Sequence, residues 1–393
     1  MTKRLFTTSL AALSLLSLSS NAQDNKEAVD VQKSFTEDPI ENDGFSLEKI
    51  FDKLWSVPVL FEDKDNPWIQ KVAIIGRYQG QVWGINSDFG SNGGWENRRQ
   101  RIGAAVSFLK TFDTAIQFNL NFDGANTGRF IEDIEDFRLR WRPMDELHVE
   151  GGLFKVPITN EWRTSSNKII TIERSLFVNQ AVPGKLGGMK VSGNISGFLY
   201  GLGLYSATRD DDWGYPTIDG GAMIYAGTGY QFSEDHEIRF DNGFLTDSPA
   251  NNATRPYSYT TALSYSGKFL DRRLWLQTDL VMAIGEDDTP NLFGLIILPS
   301  YNITKQIQLV ARYQYLVSNE SDGVQLQSRY ERRAPDVPTT RGNNYHALYG
   351  GINYYIYKDK MKIMGGLEYS HLELSQGGGY NQITLVGAFR VWF

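Results

Sequence analysis

Three arginines spaced two apart, Arg138, Arg140 and Arg142, alternate with Phe137, Leu139 and Trp141. Period two places the cations on one face of a strand and the apolar side chains on the other. Upstream, Arg99 and Arg101 oppose Ile102, Ala104, Val106 and Phe108, and Arg77 opposes Tyr78 and Val82. A guanidinium is a planar fork that donates two hydrogen bonds to two oxygens of a carboxylate or phosphate, so a row of them facing water concentrates oxyanions. Glu132, Asp133, Glu135 and Asp136 lie just before the row. Paired with it, they would leave a transverse field without strong anion preference. An arginine at a lipid midplane costs roughly 2–4 kcal/mol, so in a membrane the Arg face must meet water and the Phe/Leu/Trp face must meet lipid.

A second group of charges sits in a long connection from about Pro157 to Gly187. Lys155 precedes it, and it carries Glu161, Arg163, Lys168, Glu173, Arg174 and Lys185. The same stretch holds Trp162, Ile169, Ile170, Ile172, Leu176 and Phe177, more apolar surface than a solvated loop needs. Long connections in compact folds serve a function or are disordered, and this one is expected to fold inward and narrow a pore. An extracellular lid or a subunit contact is the alternative. Counted by alternation, Lys155 shares the face of Leu153 and points outward unless a bulge intervenes.

Other chemistry is thinly represented. His148, His236, His346 and His371 are scattered, none at metal-ligand spacing, and neither a G-x-S-x-G elbow nor a P-loop occurs. A barrel hydrolase would need a Ser and a His meeting on the wall, with His346 as its histidine. Neither a cofactor nor a metal is implied, and nothing points to nucleic acid. The carboxylate runs Asp210-Asp211-Asp212 and Glu286-Asp287-Asp288 are expected in outer loops, as solvated charge or as ligands for divalent ions bridging lipopolysaccharide.

The elements that must position these residues are strands. Ile116, Phe118, Leu120 and Phe122 alternate with Gln117, Asn119 and Asn121, and Ile307, Leu309, Ala311, Tyr313 and Tyr315 oppose Gln308, Arg312 and Gln314. The chain stops at Phe393 after a strand in which Ile383, Leu385, Gly387, Phe389 and Val391 face away from Gln382, Thr384, Val386, Ala388, Arg390 and Trp392. Short connections at 143–146, 233–236, 270–273, 302–305 and 358–360 alternate with longer ones at 87–96, 157–186, 209–220, 248–256 and 318–343. One-sided loop lengths, and about sixteen alternating segments, predict an all-β transmembrane antiparallel barrel with a water-filled lumen. An edge strand of a soluble sandwich is the competing reading for the last segment.

The ends agree. Lys3 and Arg4 precede an apolar run from Leu10 to Leu18 and a small-residue site, Ser20-Asn21-Ala22, which together read as a cleaved signal peptide over 1–22. Residues 23–68 form an acidic leader with Leu47, Ile50, Phe51, Leu54 and Trp55 at helical spacing, and residues 69–393 form the barrel. No segment offers the roughly twenty apolar residues of a membrane helix. Cysteine is absent, which excludes disulfides and thiolate sites, and 20 Tyr, 22 Phe, 9 Trp and 38 Gly suit interfacial girdles and tight strands. The net charge of −7 says little about a pore, whose wall decides selectivity.

The stretch Gly152-Leu153-Phe154-Lys155-Val156-Pro157, followed by Glu161, Ser165, Ser166 and Glu173-Arg174, resembles the phosphate-selective porins O and P. That family carries G-x-F-K-x-P at the end of its fifth strand, then a Glu, a Ser pair and an E-R dipeptide in its constriction loop. Arg98-Arg99-Gln100-Arg101 is similar to its R-R-x-R. The chain departs at Pro183-Gly184-Lys185, where many members have an Arg soon after the E-R dipeptide. The resemblance implies a sixteen-stranded homotrimer in the bacterial outer membrane, embedded in lipid and lipopolysaccharide. It implies that anions pass basic residues of the channel and its inward loop; with the alternation above, small anions, phosphate or polyphosphate, are expected to pass Arg77, Arg99, Arg101, Arg138, Arg140 and Arg142. A weakly selective pore for small hydrophilic solutes, and a non-conducting barrel whose loop 318–343 (Arg329, Arg332 and Arg333) contacts a partner, are the other readings.

Overall fold

The computed structural model describes residues 47–122, 129–209, 214–247, 254–337, 340–375 and 377–393. The expected signal peptide, the leader up to residue 46 and the carboxylates Asp210-Asp211-Asp212 lie outside them. Sixteen antiparallel strands close into a barrel: β1 (69–87), β2 (90–108), β3 (112–120), β4 (131–144), β5 (147–155), β6 (185–195), β7 (198–209), β8 (216–233), β9 (236–245), β10 (257–269), β11 (274–285), β12 (292–302), β13 (307–318), β14 (341–357), β15 (361–374) and β16 (379–392). Each pairs with its sequence neighbour, and β16 closes on β1 from Gln382 opposite Ser87 to Trp392 opposite Arg77. Closure leaves no unpaired edge along this seam, the condition for a sheet to stand in hydrocarbon.

Alternation decides the faces. Phe137, Leu139 and Trp141 are exposed on the outside, as are Leu202, Leu204, Leu280, Leu348, Leu367 and Leu385 around the wall. Gln79, Gln81, Asp279, Arg312, Lys362 and Arg390 are buried inside it. A soluble sheet would bury the first set and wet the second, so the layering is inverted. The short turns lie at one end and the longer loops at the other. One exception is the connection expected at 87–96. Only Asp88 and Phe89 separate β1 from β2, and residues 91–96 are strand. The Gly-rich composition there reads as loop, but Gly93 and Gly94 pair with Gly84 and Trp83, and a Cβ on Gly94 would crowd the Trp83 ring at 3.2 Å.

The main apolar core lies inside the barrel. Inward residues of the wall, such as Trp83, Tyr225, Leu316 and Tyr380, pack with Ile172, Leu176 and Phe177 of loop 156–184 and with Val324, Leu326 and Tyr330 of loop 319–340. Arg329 and Arg333 of the second loop reach Glu96 of β2, at 2.6 and 3.3 Å.

Helix α1 (47–56) carries the predicted apolar face. Phe51 and Trp55 stack on Tyr357, at 5.3 and 4.8 Å between ring centroids, and the Trp55 indole donates to the Trp392 carbonyl at 2.7 Å. The following strand, 59–62, pairs with the part of β1 that extends past Phe393, the last residue of the chain.

Candidate functional site

Loop 156–184 runs inside the lumen because the wall offers it hydrogen-bond partners all round. On one side the Asn160 N–H donates to the Asp279 carboxylate (3.1 Å), and its side chain donates to the Tyr265 and Thr278 carbonyls. On another, Lys362 donates to Ile169 O (2.8 Å), Asn353 to Ile170 O (2.9 Å), Arg390 to Ile172 O and Arg312 to Glu173 O (2.8 Å). Backbone carbonyls of an irregular segment must find donors once buried, and these inward residues supply them. The loop is thus a fixed partition, and a cavity of about 2450 Å³ remains beside it, lined by Arg77, Arg98, Arg99, Arg101, Lys155, Trp162, Arg174 and Lys185 among others.

β1 and β2 position the first cations. Arg77 stands opposite Arg101 and Arg99 opposite Gln79. Between Arg99 and Asn97 the register slips, so Arg98 sits in a bulge and also points inward, to Glu173 at 2.6 Å. Two adjacent arginines therefore share the lumen, which strict alternation forbids and the sequence reading missed. Lys155 also departs from its expected outward position. β5 contains Gly152 at φ +126°, outside ordinary strand geometry, and beyond it the Lys155 ammonium turns into the cavity and donates to the carbonyls of Trp162 and Thr164, both at 2.8 Å.

Four cations of this cluster have only neutral partners among the described residues. Arg77 donates to the Ser166 hydroxyl and to Gln117 (3.1 Å), Arg99 to Gln79 (2.8 Å), Lys155 to the two carbonyls above, and Arg174 to the carbonyls of Glu161 (2.9 Å) and Thr164 (2.8 Å). Gln79 donates in turn to Ser166 O, at 2.9 Å, so Ser166 ties Arg77 directly, and Arg99 through Gln79, to the loop. The other cations are neutralised. Arg101 meets Glu135 at 2.8 Å, and Lys185 meets Glu135 and Asp136 at 2.9 and 2.7 Å. Burial pushes the Glu173 carboxyl up, but Arg98 and its hydrogen bond reverse this and hold it well below the carboxylate range. Burial, with Arg98 adding to it against the pull of Glu161 and Glu173, takes Arg174 down to about 10, so its charge persists at neutral pH.

The remaining expected residues are dispersed. Arg138, Arg140 and Arg142 face inward as read, but acids answer them: Arg140 and Arg142 share Asp113 at 2.6 and 2.7 Å, and Arg138 lies between Asp136 (3.7 Å) and Glu150 (3.8 Å). Asp113 is the partner that adjacency in sequence could not show, because it comes from β3. Glu161 crosses to Arg312 at 2.9 Å, Arg163 pairs with Asp241 of β9, and Lys168 reaches Asp359 at 3.9 Å. His346 bonds Tyr313 at 2.9 Å on the outer face of the wall, away from any lumenal serine.

Residues 72–217 match the sequence profile of a family described as phosphate-selective porin O and P, the part of the chain that contains the cationic cluster and the inward loop. No curated protein sequence matches. Among solved structures, the chain is similar to an anion-selective porin from Comamonas acidovorans (12% identity, TM-score 0.53, covering 82% of this chain and 99% of that one). It is also similar to OprB of Pseudomonas putida (11%, 0.56, 82% and 94%) and OmpF of Salmonella typhi (10%, 0.54, 81% and 97%). At such identities the likeness shows a shared porin barrel fold.

Proposed function

We propose that this chain forms a passive pore in the bacterial outer membrane through which small anions, phosphate and polyphosphate among them, diffuse past the cations gathered at the inward loop. One observation carries this reading: Arg77, Arg99, Lys155 and Arg174 border the open part of the lumen and are held by neutral oxygens. Their charge is therefore uncancelled where the lumen is narrowed, and fixed positive charge in a narrow aqueous passage draws anions in and repels cations. The anion needs to shed only part of its water, because guanidinium and ammonium donors replace it, and no turnover or cofactor is involved. The sequence resemblance supports a homotrimer. The outward belt of Leu, Phe and Trp is the surface that lipid would cover, with the short turns on the periplasmic side and the long loops, where Glu286, Asp287 and Asp288 lie, toward lipopolysaccharide.

A weakly selective pore is the second reading, and the acids beside the β4 arginines favour it, since Asp113, Asp136 and Glu150 offset part of that row's charge. Chloride current through the purified protein in a planar bilayer separates the two. Added inorganic phosphate should block it. Conductance that phosphate leaves unchanged supports the weakly selective pore, and no conductance at all means a sealed barrel.

A further inference from the structure

We infer that Trp162 sets the selectivity of the constriction, as a positioning residue that holds two like charges in the lumen without cancelling them. The inference rests on the anion-pore reading above. The Lys155 ammonium lies 4.8 Å from the centroid of the Trp162 ring, and the Arg174 guanidinium carbon lies 4.9 Å from it. Both cations also donate to the Thr164 carbonyl, at 2.8 Å each, so they are crowded onto one short stretch of loop. Two buried cations so close repel each other, and a carboxylate is the usual remedy. Here the remedy is an aromatic face, whose quadrupole attracts a cation while contributing no net charge. The pair keeps both positive charges available to a passing anion.

The ring is placed by the chain and not by the cations it holds. Trp162 stands in the single turn α2 (160–163), where its N–H is capped by the Thr159 hydroxyl at 3.2 Å. The turn is fastened to the far wall through Asn160 and Asp279. Its indole N–H is buried with no hydrogen-bond partner among the described residues. Trp162 lines the same cavity as they do. The acids Glu135, Asp136 and Glu150 border that cavity as well. A Lys155 or Arg174 released from the ring would lose the position that presents its charge beside the passage.

The test compares the full protein with Trp162→Phe and Trp162→Leu in planar bilayers, reading the zero-current potential in a KCl gradient and the block of chloride current by inorganic phosphate. A desolvated cation–π contact is of the order of a tenfold equilibrium change. Trp162→Leu should therefore weaken the phosphate block about tenfold and move the zero-current potential toward zero, while Trp162→Phe, which keeps a π face, should stay within about threefold of the parent. A ring that merely filled space would change conductance without changing the ratio of ions. An anion-selective parent with Leu and Phe variants of equal, parent-like selectivity overturns the role of Trp162 and leaves the pore reading standing. A parent without anion preference overturns both.

Discussion

Arg312 fastens the inward loop to the wall of β13, and Arg312→Met should loosen it by a calculable amount. The side chain is 1% exposed. One Nη donates to Glu161 at 2.9 Å and to the Glu173 carbonyl at 2.8 Å, and the other donates to Glu368 at 2.7 Å. Methionine fills a similar length without charge, so little packing is lost. What remains is a buried Glu161 that, among the described residues, keeps the Ser175 N–H at 2.9 Å as its hydrogen-bond donor. Removing one partner of a buried ion pair costs about 3–5 kcal/mol. Glu368, whose side chain is 19% exposed, can take up lumenal water, which places the loss near the lower figure, about 3 kcal/mol. Glu161→Gln alone leaves Arg312 with Glu368 and the carbonyl, a loss of about 1–2 kcal/mol. The double variant has no stranded carboxylate at residue 161, so the single losses should exceed the double by at least about 1.5 kcal/mol. Equilibrium urea unfolding of the barrel in lipid vesicles, followed by tryptophan fluorescence, measures all three. An Arg312→Met loss below about 1 kcal/mol, or single losses that simply add, would refute the claim that this pair clamps the loop.

Two further perturbations discriminate the parts of the wall. A unit charge about 7 Å from a passing anion is worth roughly 0.6 kcal/mol at the permittivity of water and about 2.4 kcal/mol at an effective value of 20. Arg99→Gln should accordingly lower the chloride-to-potassium permeability ratio at least about threefold, whereas Arg140→Gln, which leaves Asp113 to Arg142, should change it less than about twofold; equal effects in bilayer recordings would mean that pairing does not decide which arginines matter. Close approach of strands gives the structural counterpart. A side chain at Gly103 would meet the Ile116 carbonyl of β3, while one at Gly84 meets nothing within 4 Å. Gly103→Ala should destabilise the barrel by at least about 2 kcal/mol and Gly84→Ala by less than about 0.5 kcal/mol, read from the same urea transitions.

Much of this architecture was legible from alternation alone. Period two in segments such as 116–122 and 307–315 announces which side faces lipid, and the price of an exposed arginine in hydrocarbon turns that pattern into a lumen. The places where the reading failed are places where period two is broken. Arg98 lies in a bulge, Lys155 follows the irregular Gly152, and residues 91–96 look like a loop because glycine is a poor strand former when its neighbour strand is unknown. The partners of the arginines were equally hidden. Asp113 meets the β4 arginines only through the register of β3 on β4, and Arg312 meets the inward loop only through loop folding, contacts that no local window contains. The long loop advertised its burial through its Ile, Leu, Phe and Trp content, but which of its charges would remain uncancelled depended on carbonyls, and carbonyls leave no trace in residue type.

The zero-current potential of the wild-type pore across a KCl gradient bears most directly on the central claim that uncancelled cations at the loop govern passage. It should approach the chloride equilibrium potential, and it should collapse toward zero when Arg77, Arg99, Lys155 and Arg174 are neutralised together. A potential at zero in the wild type, or one on the potassium side, would contradict it.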